Sequence, residues 1–218
     1  MIGIIVPVHN EEQLLPGCLD ALREAAADPA LGGEPVLIVV VLDHCSDGSA
    51  DVAMARGATV LTLGMRNVGA ARAAGAEHAL AHGARWLAFT DADTIVGATW
   101  LGAQLALASD AVCGTVAVDD WGVYGEPMRE HFSRTYTDAD GHRHIHGANL
   151  GVSAHAYRRV GGFLPLALGE DVALVGALLA EGLSVCFSAA PRVITSSRTD
   201  FRAAGGFGAT LEAVAAMS

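Results

Sequence analysis

The 218-residue sequence predicts an α/β fold: a mostly parallel sheet with helices on both faces, followed by a smaller and less regular region. Two observations lead there. In the first half, four short apolar runs alternate with segments of helical character, and each run ends in a polar turn. After residue 118 that rhythm stops.

Taken in order, Ile2–Val8 is an unbroken apolar run of strand length and reads as the first buried strand. Asn10 is expected to cap a helix over residues 11–26, with Leu14, Leu15, Cys18, Leu19 and Leu22 on one face. Residues 28–35 form a loop. A second strand is expected over 36–42, a turn over 43–48 and a short helix over 49–56. Thr59–Leu63 is the third strand, with a helix over 68–82 behind it. Residues 86–90 are the fourth strand, followed by a helix over 98–108 and a strand over 111–118. Residues 119–141 read as polar and irregular, with Trp121, Tyr124, Phe132 and Tyr136 set among charges. Long irregular segments in compact domains are often functional. Strand character returns over 145–153 and 183–188, with helices over 154–160 and 172–181. Residues 203–217 have the pattern of an amphipathic helix behind Gly205-Gly206.

Bulk properties narrow the function. A net charge of −11 argues against bulk electrostatic binding to nucleic acid or anionic lipid. Cys18, Cys45, Cys113 and Cys186 form no C-x-x-C pair, which fits a reduced, cytoplasmic chain. The longest strongly apolar run, 36–42, is too short to span a bilayer, and the start lacks the pattern of a signal peptide. Membrane association, if any, is then peripheral.

The chemistry centres on Asp91-Ala92-Asp93, directly behind the fourth predicted strand. Ligands of open α/β sheets bind beyond the carboxyl ends of the strands. Two carboxylates one residue apart suit a hard divalent cation such as Mg²⁺ or Mn²⁺, which takes oxygen ligands and phosphates. The same acids also serve as ordinary helix caps. Three further acidic turns follow other strand-like runs, at 7–12, 43–49 and 169–171. Acids crowded along one sheet edge are costly without a cation.

These stretches together resemble the family 2 glycosyltransferases of inverting type, with their GT-A, Rossmann-like fold. The matching segments are IIVPVHNEE at 4–12, VVVLDHCSDGSADVA at 39–53, NVGAARAAG at 67–75 and WLAFTDADT at 86–94. HGANLGVSAHAYRRVGGF at 146–163 and GEDVALVGALLAEG at 169–182 complete the ordered set. The resemblance implies a nucleotide-sugar donor, with UDP the commonest expectation, and an acceptor hydroxyl of unknown identity. It divides a single domain into a nucleotide-sugar half, 1–118, and an acceptor and catalytic-base half, 119–218. It further implies that Pro7, Val8, His9, Glu11, Asp43, Arg72 and Asp91 hold the nucleotide and that Asp93 holds the metal. Asp171 would be the general base, and Ala92, Gly147, Asn149, Glu170 and Arg198 would be donor or acceptor contacts. Two positions depart from the pattern. His44 stands where many relatives carry a second acid, and residues 194–198 lack the histidine that some relatives use as a metal ligand, leaving Arg198 for the diphosphate. His142, His144 and His146 alternate without a carboxylate or cysteine at ligand spacing, so they read as surface or acceptor-side groups.

Other enzyme classes fit less well. DADTIV at 91–96 also resembles the nucleophile loop of haloacid-dehalogenase-type phosphatases, which requires a downstream lysine; the chain has none. A sugar-nucleotide pyrophosphorylase would carry a basic, Gly-rich loop after the first strand, and a dinucleotide oxidoreductase a G-x-G-x-x-G there. A non-catalytic nucleotide-sugar-binding protein is the remaining alternative, against which the intact Asp93 and Asp171 speak.

Overall fold

The computed structural model describes residues 1–198. The four apolar runs become strands β1 (Ile2–Val8), β2 (Val36–Asp43), β3 (Thr59–Leu63) and β4 (Trp86–Phe89). Between them lie helices α1 (Leu15–Ala26), α2 (Ser49–Ala55) and α3 (Val68–Ala81). The chain continues through β5 (Thr94–Val96), α4 (Trp100–Ala106), β6 (Ala111–Ala117) and α5 (Gly125–Thr135). It then forms β7 (Leu150–Ser153), α6 (Ala154–Arg159), α7 (Glu170–Ala180) and β8 (Val185–Thr195). The amphipathic segment expected at 203–217 lies outside the described residues.

All eight strands join one sheet in the order β3-β2-β1-β4-β7-β6-β8-β5. The first four are parallel. β7 runs antiparallel between β4 and β6, β8 is parallel to β6, and β5 closes the far edge antiparallel to β8. The chain order reverses between β1 and β4, and in open α/β sheets such a reversal opens a crevice at the carboxyl ends of the strands.

Side chains alternate across the sheet and split the core in two. Ile2, Ile4, Val6 and Val8 of β1 point towards α1 and α4, where Leu15, Leu19, Leu22, Trp100 and Leu101 meet them. Ile5, Val39 and Val41 face the other way, against the small residues of α3 and the apolar side of α7. α3 lies close to the sheet: a Cβ on Gly75 would stand 2.6 Å from Ile5 Cγ2 and 3.0 Å from Val41 Cγ2.

Several expectations are corrected. The first helix starts at Leu15, because Asn10 takes a left-handed conformation (φ 55°) and is no cap. Its Oδ1 accepts the Ser46 N–H at 2.7 Å, linking the turn after β1 to the turn after β2. Residues 94–96, to which the sequence assigns no element, form a short strand. The stretch 119–141 contains the helix α5, whose Met128 packs with Trp121. β7 occupies only the last four residues of the expected 145–153 strand, because Asn149 N–H turns back to the His146 carbonyl. β8 runs on to Thr195.

Candidate active site

Acidic turns and their neighbours meet at the carboxyl edge of β1, β2 and β4 around a cavity of about 520 Å³. β1 delivers Pro7, Val8, His9 and Glu11. β2 ends in Asp43, the turn after β4 carries Asp91-Ala92-Asp93, and the start of α7 supplies Glu170 and Asp171. Asp93 and Asp171, far apart in sequence, line this one cavity.

Asp43 is buried at the end of β2. Its carboxylate accepts the backbone N–H groups of Met65 (2.7 Å), Arg66 (2.9 Å) and Asn67 (2.6 Å), fixing the turn that leads into α3. His9 Nδ1 donates to the Asp43 carbonyl at 2.7 Å, which joins the turn after β1 to the turn after β2.

Arg72 is buried near the start of α3, bound to Glu170 and, at 2.5 Å, to Asp91. Burial works against its charge, but Asp91, Glu170 and Asp171 outweigh that and hold the guanidinium above its usual pKa. Arg72 therefore ties the D-x-D turn to the head of α7. Gly147 makes room for it, since a Cβ there would collide with the guanidinium. The Gly147 N–H in turn donates to Asp171 Oδ2 at 2.8 Å, and the Val172 N–H to Asp171 Oδ1 at 2.8 Å. Asp171 remains half-buried, held by neutral donors and open to the cavity.

Arg198 approaches from beyond β8. Its guanidinium grips both Glu11 oxygens, at 2.6 and 2.5 Å, and lies 3.3 Å from Asp93 Oδ2. Burial pushes the Asp93 carboxyl up to about 6; Asp91 and Glu11 add to the rise and Arg198 opposes it. A buried carboxylate beside Asp91 and Glu11, countered by Arg198, is a setting that fits a divalent cation. Among the described residues no group of three or more His, Cys, Asp or Glu is disposed to hold a metal. The protein would thus supply few ligands, as hard cations that keep waters and substrate phosphates allow.

One expected contact is corrected. Asn149 lies outside the cavity: its amide accepts from Trp100 Nε1 at 2.9 Å and donates to the carbonyls of Thr115, at 2.8 Å, and Pro191. It ties β6, β7, β8 and α4 together. The other predicted residues, including Ala92, Gly147 and Glu170, line the cavity. Arg66, Asn67, Ala167, Leu168, Thr195 and Ser196 line it too and were not expected. Asn67 opens the 67–75 segment and Thr195 ends β8, while the others lie in loops whose sequences carry no motif.

The three alternating histidines divide. His142 is buried, while His144 stacks on Tyr136 with centroids 4.0 Å apart. His146 lines the cavity, its Nε2 3.0 Å from the Tyr136 hydroxyl. That hydroxyl already accepts the Val116 N–H at 2.9 Å, leaving its proton for Nε2. Burial, helped by His144, lowers His146 to about 4, so it stands neutral beside Asp171 at neutral pH.

A family model described as glycosyl transferase family 2 matches residues 3–161. Comparison with curated protein sequences gives no match. Among solved structures, the chain is similar to the mannosyltransferase PcManGT from Pyrobaculum calidifontis in complex with GDP-Man and Mn²⁺. The TM-score is 0.70 at 19% identity, covering 91% of this chain and 57% of that one. It is also similar to S. aureus TarS 1–349 in complex with UDP-GlcNAc, with a TM-score of 0.72 at 13% identity, covering 99% and 65%. GalNAc-T7 with UDP, GalNAc and Mn²⁺ superposes with a TM-score of 0.66 at 15% identity, covering 89% and 43%. The fold is therefore GT-A, and the chain spans less than two thirds of the length of these three structures.

Proposed function

The chain belongs to glycosyl transferase family 2, and on that premise we propose that it moves a sugar from a nucleotide-sugar to an acceptor hydroxyl by a single inverting displacement. The observation that carries this reading is the shared cavity of Asp93 and Asp171. A diphosphate held at Asp93 would leave the anomeric carbon between the leaving group and Asp171.

In this reading Pro7, Val8, His9 and Asp43 form the nucleoside wall, with Glu11 and Asp91 near the ribose. Arg66 lines the cavity as a cation for the diphosphate, and Arg198 would have to release Glu11 to join it. Asp171 accepts the proton of the acceptor hydroxyl as that oxygen bonds to the anomeric carbon and the bond to the diphosphate oxygen breaks. Attack from the face opposite the leaving group inverts the configuration. Mg²⁺ or Mn²⁺, held by Asp93, would neutralise charge on the departing diphosphate when bound. Arg72 and Glu170 keep Asp91 and Asp171 in register.

A thermal-shift screen of UDP, GDP and dTDP sugars with Mn²⁺ tests donor binding, since a ligand far above its dissociation constant raises the melting point. UDP is the expected nucleotide. Asp171→Asn should retain that shift while lowering sugar transfer by about 10²- to 10⁴-fold, the usual contribution of a general base. Unchanged transfer in that variant removes Asp171 from the role. Absence of a shift with any nucleotide overturns the donor assignment.

A further inference from the structure

Resting on the transferase reading, we infer that the acceptor presents its hydroxyl on an aliphatic body, which lies along an apolar lip beside Asp171. The lip is the run Leu164-Pro165-Leu166-Ala167-Leu168-Gly169, which follows the buried Phe163, together with the outer side of α7. Leu164, Leu168 and Val172 each leave 54% of their surface exposed, and Met65, in the turn before α3, leaves 60%. This exposure is built into the loop. Asn67 Nδ2 donates to the Pro165 carbonyl at 2.8 Å, and the Gly69 N–H to the Leu166 carbonyl at 3.0 Å. The loop is thereby pinned to the head of α3 with its leucines outward.

The lip continues into the cavity. Ala167 and Leu168 line it, and Gly169, Glu170 and Asp171 follow directly in the chain. From Val160 to Ala180 the only ionisable side chains are Glu170 and Asp171. Helix α7 is apolar on both its buried and its exposed sides, unlike a helix that simply faces water. A hydroxyl delivered to Asp171 from this side therefore carries its body over Leu168 and Val172. A free oligosaccharide would want the opposite surface, with aromatic platforms and many polar groups. Among the described residues no Trp, Tyr or Phe lines the cavity.

The probes are hexan-1-ol, octan-1-ol and decan-1-ol, titrated into the full chain with Mn²⁺ and the nucleotide-sugar giving the largest thermal shift. The readouts are calorimetric affinity and alcohol-stimulated release of the nucleoside diphosphate. Affinity should rise about two- to fourfold per methylene, as for aliphatic groups leaving water. The double variant Leu164→Gln/Val172→Gln, altered at exposed positions outside the cavity wall, should fold, keep the nucleotide-induced thermal shift and lose most of that slope. A flat response in the wild type overturns the inference, as would follow if a second copy or residues 199–218 already cover the lip. An unchanged slope in the variant, or stronger stimulation by maltose than by decan-1-ol, overturns it equally. Loss of nucleotide-sugar binding altogether would instead strike at the transferase reading.

Discussion

Arg72 is the residue on which most of the site turns. It is buried with Glu170, while Asp91 is partly open to solvent. Removing one partner of such an arrangement leaves charge unpaired in a poorly solvated place, at a typical cost of 3–5 kcal/mol. Solvent around Asp91 relieves part of this, so Arg72→Met is expected to lower stability in urea by about 3 kcal/mol. A loss of a few tenths would mean that the contacts with Asp91 and Glu170 do not hold the two turns together. Asp93 gives a pH signature. Its folded pKa of about 6 lies above the 3.8 usual for an aspartate, so its protonated form favours the folded state. That stabilisation is full below about 4 and is lost as pH rises through about 6. A cation acts with the opposite sign, because it needs the carboxylate and competes with the proton. Mn²⁺ affinity, followed by electron paramagnetic resonance, should therefore fall as pH drops through about 6 and fall much less in Asp93→Asn. A pH-independent affinity would exclude Asp93 as ligand. Residue types alone marked the acids and Arg72, but not which acid pairs with which cation. Glu11 meets Arg198 across 187 positions of sequence, and no local pattern encodes such a contact.

Elements were legible in proportion to how continuously apolar they are. β1 and β3 fall on the expected residues, and β2 and β4 differ only by a residue at the end, because their runs have strand length and end in turn residues. β5 has three residues and exists through its pairing with β8, a partner about a hundred positions away. α5 buries only Met128, so its apolar stripe is too thin to stand out from its charges. The head of α1 was misplaced because Asn10 spends its amide on the neighbouring turn, a tertiary use that overrides its capping preference. α3 owes its packing to its composition: Ala and Gly let it lie against β1 and β2. Gly75→Ala would drive its Cβ into Ile5 and Val41, whose branched side chains have no free space to give. Overpacking of this kind costs about 1–3 kcal/mol, although alanine is otherwise the better helix former. At about 2–4 °C per kcal/mol for a chain of this size, melting should fall by several degrees. A rise would show that α3 can lift off the sheet without loss.

At the scale of the whole molecule, the charge balance decides how the ligands must bind. The chain carries −11, and its cavity concentrates six acids, Glu11, Asp43, Asp91, Asp93, Glu170 and Asp171, against Arg66, Arg72 and Arg198. Two of those arginines are already committed, Arg72 to Asp91 and Glu170, Arg198 to Glu11. A nucleoside diphosphate entering this field brings further negative charge, and two of the three arginines, Arg72 and Arg198, cannot serve it without abandoning an acid. Bulk attraction gives no help, because the net charge of the protein repels the ligand at long range. Tight binding of a diphosphate therefore calls for a cation to enter with it, and the two must favour each other by the same factor, whichever binds first. Calorimetry should find UDP bound at least tenfold more tightly with Mn²⁺ than in EDTA, about 1.4 kcal/mol of coupling. Mn²⁺ should gain the same factor when UDP is present. Raising the salt concentration should strengthen UDP binding in EDTA, because screening weakens the repulsion, and change it little once Mn²⁺ has offset the charge. Equal UDP affinities in Mn²⁺ and in EDTA would leave the arginines as sufficient counter-charge, with Arg198 having to release Glu11 to serve the diphosphate. In that event Arg198→Ala, not Asp93→Asn, would be the variant that abolishes nucleotide binding.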